Sequence, residues 1–275
     1  MSTDPREPST LDEIEQLANQ LLHDVSGILD RQQRTFVMAE QLTRLPAETI
    51  LEIFRIITKG AMRHESKYED GFRMISDVKK LGKMIGFGKM SEVYTLARRK
   101  DYPEVVRLMQ NLPPARHLGE DEELEPDPVL ADLTLGHKRE LARTRNYDLI
   151  NRLCHDQDPV VIQNLLRNPR VTIKEVVKIA SKRPTNAKIL WVIYRDLKWN
   201  CHYVVKMTLI NNPYTPTPIS LALLLYLMEQ DLVDVAENMI LHPAVREAAI
   251  DLIKQKRKLG QDSARNQPKP PSDKE

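Results

Sequence analysis

Two Cys-His dipeptides carry the side chains best suited to bind a metal. Cys154-His155 and Cys201-His202 stand 47 residues apart, and cysteine with histidine is a typical zinc ligand set. Adjacent residues on a helix point about 100° apart, so each dipeptide supplies one ligand and the pair falls short of the four that zinc needs. The sequence therefore predicts no metal and no cofactor, with a buried cysteine beside a partly exposed histidine.

The segment "LGKMIGFGKMS" at 81–91 raises the question of a nucleotide site. A phosphate-binding loop places four residues between its first glycine and Gly-Lys-Ser/Thr. Counted back from Gly88-Lys89, that first position is Lys83, and Met90 occupies the Ser/Thr position. The segment is therefore predicted to be a turn between helices. Glycine-flanked serine, His-Glu-x-x-His and spaced aspartate motifs are also missing, so we expect a non-catalytic protein.

Charge is distributed unevenly along the chain. Between His137 and Asn211 there are fifteen Lys or Arg and six Asp or Glu, a net +9, whereas the whole chain carries +2. Such a basic face attracts an acidic protein surface, nucleic acid or the chain's own acidic segment at 120–127. The residues predicted to form this interaction surface are Arg167, Arg170, Lys174, Lys178, Lys182, Arg183, Trp191 and Trp199.

Aromatic residues alternate with basic ones in the same region. Trp191 and Trp199 lie close to Arg195 and Lys198 in sequence, an arrangement that stacks bases or anchors a peptide. Large rings also fill gaps between packed helices, and the sequence favours this second interpretation.

These residues are predicted to lie on helices. Only nine glycines occur in 275 residues, which disfavours hairpins and phosphate loops. Thr10 with Glu13, and Thr172 with Glu175, form capping-box patterns, and Asp158-Pro159 is a typical helix start. The seam of apolar residues within 11–29 packs on its own domain, or alternatively forms a homodimer contact.

The chain is expected to form an all-α protein in two domains. An N-terminal helical domain at 11–111 is followed by an acidic, proline-rich linker at 112–129 and a helical repeat domain at 130–257. Residues 1–10 and 258–275 are expected to be disordered. Two cysteines and a polar first segment suggest a soluble, cytoplasmic protein. The apolar run from Ile219 to Met228 is far short of the ~20 residues that span a membrane.

Proline marks a repeating pattern in the second domain. Pro184, Pro213 and Pro243 fall at intervals of 29 and 30 residues, the length of one helix–turn–helix unit. Helices this short need neighbours to hold them, so units of equal length are expected to stack. The apolar helix at 218–228 is expected in the middle of such a stack.

The repeat pattern resembles a known family. "DPVVIQNLLRNPRVTIKEVVKIA" (158–180) is similar to the leucine-rich-repeat variant, a HEAT-like right-handed α-solenoid unit, and "NNPYTPTPISLALLLYL" (211–227) is similar to a second copy. Residues 130–257 also resemble uncharacterised bacterial proteins. The clustered cysteines that hold an iron–sulfur cluster in one such repeat protein are missing here, so that cofactor is not implied. The resemblance implies a scaffold that binds another protein, and the basic face at 137–211 makes nucleic-acid binding the alternative.

Overall fold

The computed structural model describes residues 10–63, 65–119 and 127–265. Within these ranges it contains seventeen helices and no strand, which confirms the all-helical class. The first seven helices are α1 (Leu11–Ser26), α2 (Arg31–Thr43), α3 (Ala47–Met62), α4 (Ser66–Ile75), α5 (Val78–Ile85), α6 (Phe87–Arg99) and α7 (Pro103–Met109). The others are α8 (Leu135–Leu141), α9 (Tyr147–Leu153), α10 (Pro159–Leu166), α11 (Ile173–Ser181), α12 (Ala187–Arg195), α13 (Leu197–Asn200), α14 (Tyr203–Ile210), α15 (Thr217–Leu224), α16 (Glu229–Glu237) and α17 (Pro243–Arg265).

The helices form two compact units that do not follow the chain in simple order. Unit 1 comprises Met1–Pro113 together with Pro216–Tyr226, and unit 2 comprises Pro114–Thr215 together with Leu227–Glu275. Helix α15 therefore belongs to unit 1, although the sequence placed it in the middle of the second domain. Helix α17 continues to Arg265, into the segment expected to be a disordered tail, while residues 1–9 and 266–275 lie outside the described ranges.

The apolar seam of α1 is buried inside unit 1. Thr10 and Glu13 form the predicted capping box, with the Glu13 backbone N–H 3.3 Å from Thr10 Oγ1. The helix packs against α2 and α3, and Ala18 and Val25 are almost fully buried. Because its own unit covers this seam, the homodimer interpretation of residues 11–29 gains no support from it.

A buried carboxylate holds charged side chains together in unit 1. Glu52 on α3 accepts hydrogen bonds from Lys100 Nζ at 3.1 Å, Tyr102 Oη at 3.1 Å and Arg55 Nη1 at 3.2 Å. The Arg55 guanidinium also stacks on the Tyr102 ring, 4.2 Å from its centroid. Burial alone would raise the pKa of Glu52, but the hydrogen bonds from Lys100, Arg55 and Tyr102 hold it below its ordinary value.

Helix α15 completes the core of unit 1. It packs against α7, and the Thr217 hydroxyl donates to the Pro113 carbonyl oxygen at 2.6 Å. Tyr226, just after the helix, meets Phe72 of α4 edge to face with ring centroids 6.2 Å apart. Leu224 is fully buried. The apolar character of this helix on all sides therefore reflects burial within unit 1.

Apart from α17, the described helices of unit 2 have nine residues or fewer, and several of them pack on helices two or three positions away in the chain. Helix α10 packs against α8 and α12, α11 packs against α14, and α16 packs against α17. The predicted N-cap at Asp158 is confirmed, since its carboxylate accepts the backbone N–H groups of Val160 and Val161 at 2.8 and 3.0 Å. Thr172 and Glu175 form the second predicted capping box.

Side-chain hydrogen bonds link equivalent positions of unit 2 at a constant separation. The Tyr147 hydroxyl donates to Glu175 Oε1 at 2.8 Å, and the Tyr203 hydroxyl donates to Asp231. These four residues are spaced 28 apart along the chain. The hydrogen bond to Glu175 raises the pKa of Tyr147. A tyrosine at the start of α9 or α14 thus contacts an acidic residue in the first turn of α11 or α16.

Candidate interaction surface

A buried asparagine joins two turns of unit 2. The Asn168 side-chain amide donates to the carbonyl oxygens of Ala142 at 2.9 Å and Thr144 at 2.8 Å, and its own oxygen accepts the Arg170 backbone N–H. The last carbonyls of a helix have no partner within it, so Asn168 satisfies the end of α8 from the turn after α10. The turn at 142–145 therefore lies beside the turn at 167–170.

Asn168 and Asn212 each precede a proline, and Asn212 makes the same set of hydrogen bonds as Asn168. The Asn212 amide donates to Ala180 O at 2.7 Å and to Lys182 O at 3.0 Å, and its oxygen accepts the Tyr214 backbone N–H. The two steps nevertheless occupy different places. Asn168 lies between α10 and α11 and contacts α8, whereas Asn212 follows α14 and contacts the end of α11.

Trp199 fixes a third turn, the one after α12, beside the two turns that Asn168 joins. Its indole N–H donates to the Leu166 carbonyl oxygen at 3.0 Å, which places α13 beside the end of α10. The indole is only 3% exposed. Trp199 is thus an interior residue that positions the turn, and it does not form part of an exposed surface. The core-packing interpretation holds for this ring.

Basic side chains project from all three turns and form what we term the basic edge. They are exposed, and within the described part of the chain no carboxylate pairs with them, although Lys198 Nζ lies 4.1 Å from the Trp199 ring centroid. The basic edge consists of Arg143, Arg145, Arg167, Arg170 and Lys198 on the turns and Lys174 in the first turn of α11. This edge is a cluster of exposed cations, able to bind carboxylate or phosphate groups.

Three other residues of the predicted basic face bind within unit 2. Lys178 Nζ donates to Asn151 Oδ1 at 3.3 Å, Lys182 Nζ donates to the His155 carbonyl oxygen, and Arg183 Nη2 donates to the Asn211 carbonyl oxygen at 2.5 Å. Burial lowers the pKa of Lys182. The predicted face therefore divides into residues that tie helices together and residues that remain available.

Trp191 lies apart from Trp199 and is half-buried. Its ring meets that of Tyr194 edge to face at 5.7 Å, and the Arg195 guanidinium lies 4.7 Å from its centroid. Part of the Trp191 ring is therefore exposed to solvent, and the Arg195 guanidinium lies over the ring.

The cysteines considered as metal ligands and the glycine-lysine segment considered as a nucleotide site lie in the following surroundings. Burial raises the pKa of the Cys154 thiol to about 11, whereas Cys201 is exposed. Among the described residues, no group of three or more His, Cys, Asp or Glu side chains is placed to hold a metal ion. Gly86, with φ of 105°, joins α5 to α6, and Lys89 Nζ donates to the Thr43 and Leu45 carbonyl oxygens at 2.6 and 3.0 Å.

The acidic linker is described only at its ends. The Arg116 backbone N–H donates to Pro213 O at 2.9 Å, and Asp127 pairs with Arg152 at 3.2 Å. Residues 120–126 lie outside the described ranges. They carry the other charges of the acidic segment at 120–127, one of the partners that the sequence predicts for the basic face. Asp127 contacts α9 and not the basic edge.

Sequence reasoning missed half of the basic edge. Arg143 and Arg145 stand in "LARTRN", which lacks the Asn-Pro step that marks the next turn. Both arginines lie shortly after α8, as Arg167 lies directly after α10, but α8 buries none of its side chains and so gives no apolar pattern to mark this turn. In the sequence Lys198 stands out only as a neighbour of Trp199.

Comparison of the chain with protein-family models, with curated proteins and with solved structures finds no match. Over the described residues, each helix is too short or too polar to span a lipid bilayer.

Proposed function

We propose that this protein is a non-catalytic helical-repeat scaffold that docks a partner protein with an acidic surface through the basic edge of unit 2. In this proposal the helix pairs from α8 to α14 stack as a right-handed, HEAT-like solenoid. The constant separation of 28 residues between Tyr147, Glu175, Tyr203 and Asp231 supports such a repeat. Repeats of this kind commonly present extended binding surfaces.

The observation that carries the docking role is the contrast among the basic residues. Lys178, Lys182 and Arg183 donate to acceptors of neighbouring helices, whereas Arg167 and Arg170 stand exposed in the turn that Asn168 fixes. Arginine is well suited to interfaces, because its planar guanidinium binds a carboxylate through two hydrogen bonds. Exposed charges held on a rigid turn can steer a partner and fix its orientation.

The direct test compares two double charge reversals in the full chain. Arg167→Glu with Arg170→Glu inverts the basic edge, and Arg98→Glu with Arg99→Glu makes the same charge change on exposed residues of α6 in unit 1. Each variant is used to capture proteins from nuclease-treated extract of the source organism, followed by mass spectrometry. We expect one defined protein to be retained by the control and lost by the basic-edge variant. Equal capture by both variants would contradict the proposal.

The single sign of the basic edge also favours the alternative, nucleic-acid binding. That function predicts capture that nuclease abolishes and an affinity that falls steeply with salt concentration. Docking of a protein predicts a partner that survives nuclease and a shallower dependence on salt.

A further inference from the structure

We infer that the basic edge fits an extended, carboxylate-rich peptide segment whose acidic side chains recur at every third residue. This inference rests on the proposed function and specifies the partner's chemistry. Its foundation is that three successive turns are fixed side by side. Asn168 joins the turn carrying Arg143 and Arg145 to the turn carrying Arg167 and Arg170. Trp199 joins the latter to Lys198.

The spacing of the turns sets the spacing of the charges. The turns follow α8, α10 and α12, and α10 packs against both of the others. Axes of packed helices are about 8–10 Å apart, so the cations of neighbouring turns are separated by a similar distance. Three turns then cover about 20 Å, which is the length of about six residues of extended chain.

One backbone conformation matches this spacing and also directs side chains to the same side. A polyproline II segment rises about 3.1 Å per residue and has three residues per turn. Residues i, i+3 and i+6 therefore point in one direction and lie about 9 Å apart. A β-strand would point i and i+3 to opposite faces, because its side chains alternate. Acidic residues at every third position of a polyproline II segment thus meet one turn of the basic edge each.

The neighbouring exposed side chains favour a peptide over a nucleic acid. Tyr147 is 58% exposed, with its hydroxyl fixed by Glu175, and Leu197 is 39% exposed next to Lys198. These apolar groups flank the cations at two of the three turns. Apolar side chains mixed with arginine are typical of protein interfaces, where they contact the partner's aliphatic groups.

Binding is measured by fluorescence anisotropy with the full-length protein and three labelled peptides. The first has the core Glu-Pro-Ser-Glu-Pro-Ser-Glu. The second has the same composition with its three glutamates contiguous, and the third places phosphoserine at the glutamate positions of the first. Salt is kept at about 0.15 M, where the screening length is about 8 Å, so that charges on turns further apart than this interact only weakly. A single-stranded oligonucleotide of similar charge completes the set.

We expect the spaced glutamate peptide to bind about tenfold more tightly than the contiguous one, since the latter cannot pair with all three turns. Arg143→Glu with Arg145→Glu and Arg167→Glu with Arg170→Glu should each weaken the spaced peptide by about tenfold. The control Arg98→Glu with Arg99→Glu should leave its affinity unchanged. Thermal unfolding checks that all variants remain folded.

The outcomes separate this inference from the proposed function. Equal affinity for both glutamate peptides, with both weakened by the basic-edge reversals, overturns the spacing but retains docking of an acidic partner. Tighter binding of the phosphopeptide or the oligonucleotide overturns the choice of carboxylate. Loss of peptide binding in the control as well overturns the assignment to the basic edge, and the proposed function then stands or falls with the capture experiment.

Discussion

The two units differ in where some of their charged and polar residues are placed. In unit 1 Arg55 and Lys100 share the buried carboxylate of Glu52. In unit 2 buried amides satisfy the ends of helices, and the arginines of the turns remain outside. The difference indicates that in unit 2 buried amides fix the turns that carry the exposed arginines.

The longest helices of unit 1 also differ in length from the consecutive helices α8 to α14 of unit 2. Two of the helices in unit 1, α1 and α3, have 16 residues each, while α8 to α14 have nine residues or fewer. Helices of fewer than about 12 residues are marginal in isolation. Unit 2 therefore depends on links between helices, and its turns are placed by those links.

The largest loss of stability should follow from placing a charge in the buried part of α15, which also tests whether this helix belongs to unit 1. Leu224→Asp places a charge at a fully buried position, and we expect a loss of about 5 kcal/mol in the free energy of unfolding. Met228→Asp, at a residue that is 67% exposed, should have little effect.

Hydrogen exchange then shows which unit responds. Since α15 packs against α7, amide protection in Leu224→Asp should fall first in α7. A loss that begins in α11 and α14 would contradict the division and support the original expectation that this helix belongs in the stack.

The asparagine links of unit 2 should come next. Asn168→Ala and Asn212→Ala each leave two carbonyls, at the end of a helix or in the turn after it, without their amide donor, and we expect a loss of about 2–3 kcal/mol in each case. Asn164→Ala is the matched control, because its amide donates only to Val160 O within α10. Urea unfolding measures all three. A cost for Asn168→Ala no greater than that of the control would mean that the turns are fixed by something else.

The carboxylate of unit 1 should confer a dependence on pH. The pKa of Glu52 is lowered in the folded protein, so its contribution to stability is present above the unfolded value near 4.5 and is lost as pH falls through the folded value. Glu52→Gln should cost about 2 kcal/mol at pH 7. The difference between wild type and Glu52→Gln should shrink on acidification below pH ~4.5. A difference that stays constant down to pH ~3 would show that the charge of Glu52 is not what stabilises unit 1.

The smallest effect is expected for the tyrosine links. Tyr147→Phe removes the part-buried hydrogen bond to Glu175, and Tyr203→Phe removes the hydrogen bond to Asp231 together with the one that the Tyr203 hydroxyl accepts from the Met228 backbone N–H. Both substitutions should lower the Tm slightly, Tyr203→Phe by more, whereas Tyr94→Phe in α6 should not. A Tyr147→Phe shift no larger than that of Tyr94→Phe would mean that this link does not stabilise unit 2, which would weaken the repeat interpretation.

Local signals in the sequence predicted local structure well. The capping boxes at Thr10 and Thr172 and the N-cap at Asp158 are found where the residue types indicate. The apolar stripe Ile75, Val78, Leu81 and Ile85 is typical of one continuous helix, whereas in the structure α4 ends at Ile75 and α5 begins at Val78. A periodic stripe can continue across a break, so periodicity alone does not locate it.

Contacts between distant residues were not predictable. The spacing of Lys174, Lys178 and Lys182 shows that they share one face of α11. It does not show that Lys182 lies against the end of α9 while Lys174 faces solvent. The acceptors of the Asn168 amide lie more than twenty residues earlier in the sequence. A local sequence pattern cannot predict such a distant partner. The basic edge became visible only once those links were known.

The most direct test of the central claim is photo-crosslinking from the basic edge in living cells. A photoreactive phenylalanine analogue replaces Arg170 in one variant and Arg99, on α6 of unit 1, in the other. We expect a single protein adduct from position 170 and none from position 99, with the adduct lost when Arg143 and Arg145 are changed to Glu. Adducts with nucleic acid, or the same adducts from both positions, would contradict a docking role for the basic edge.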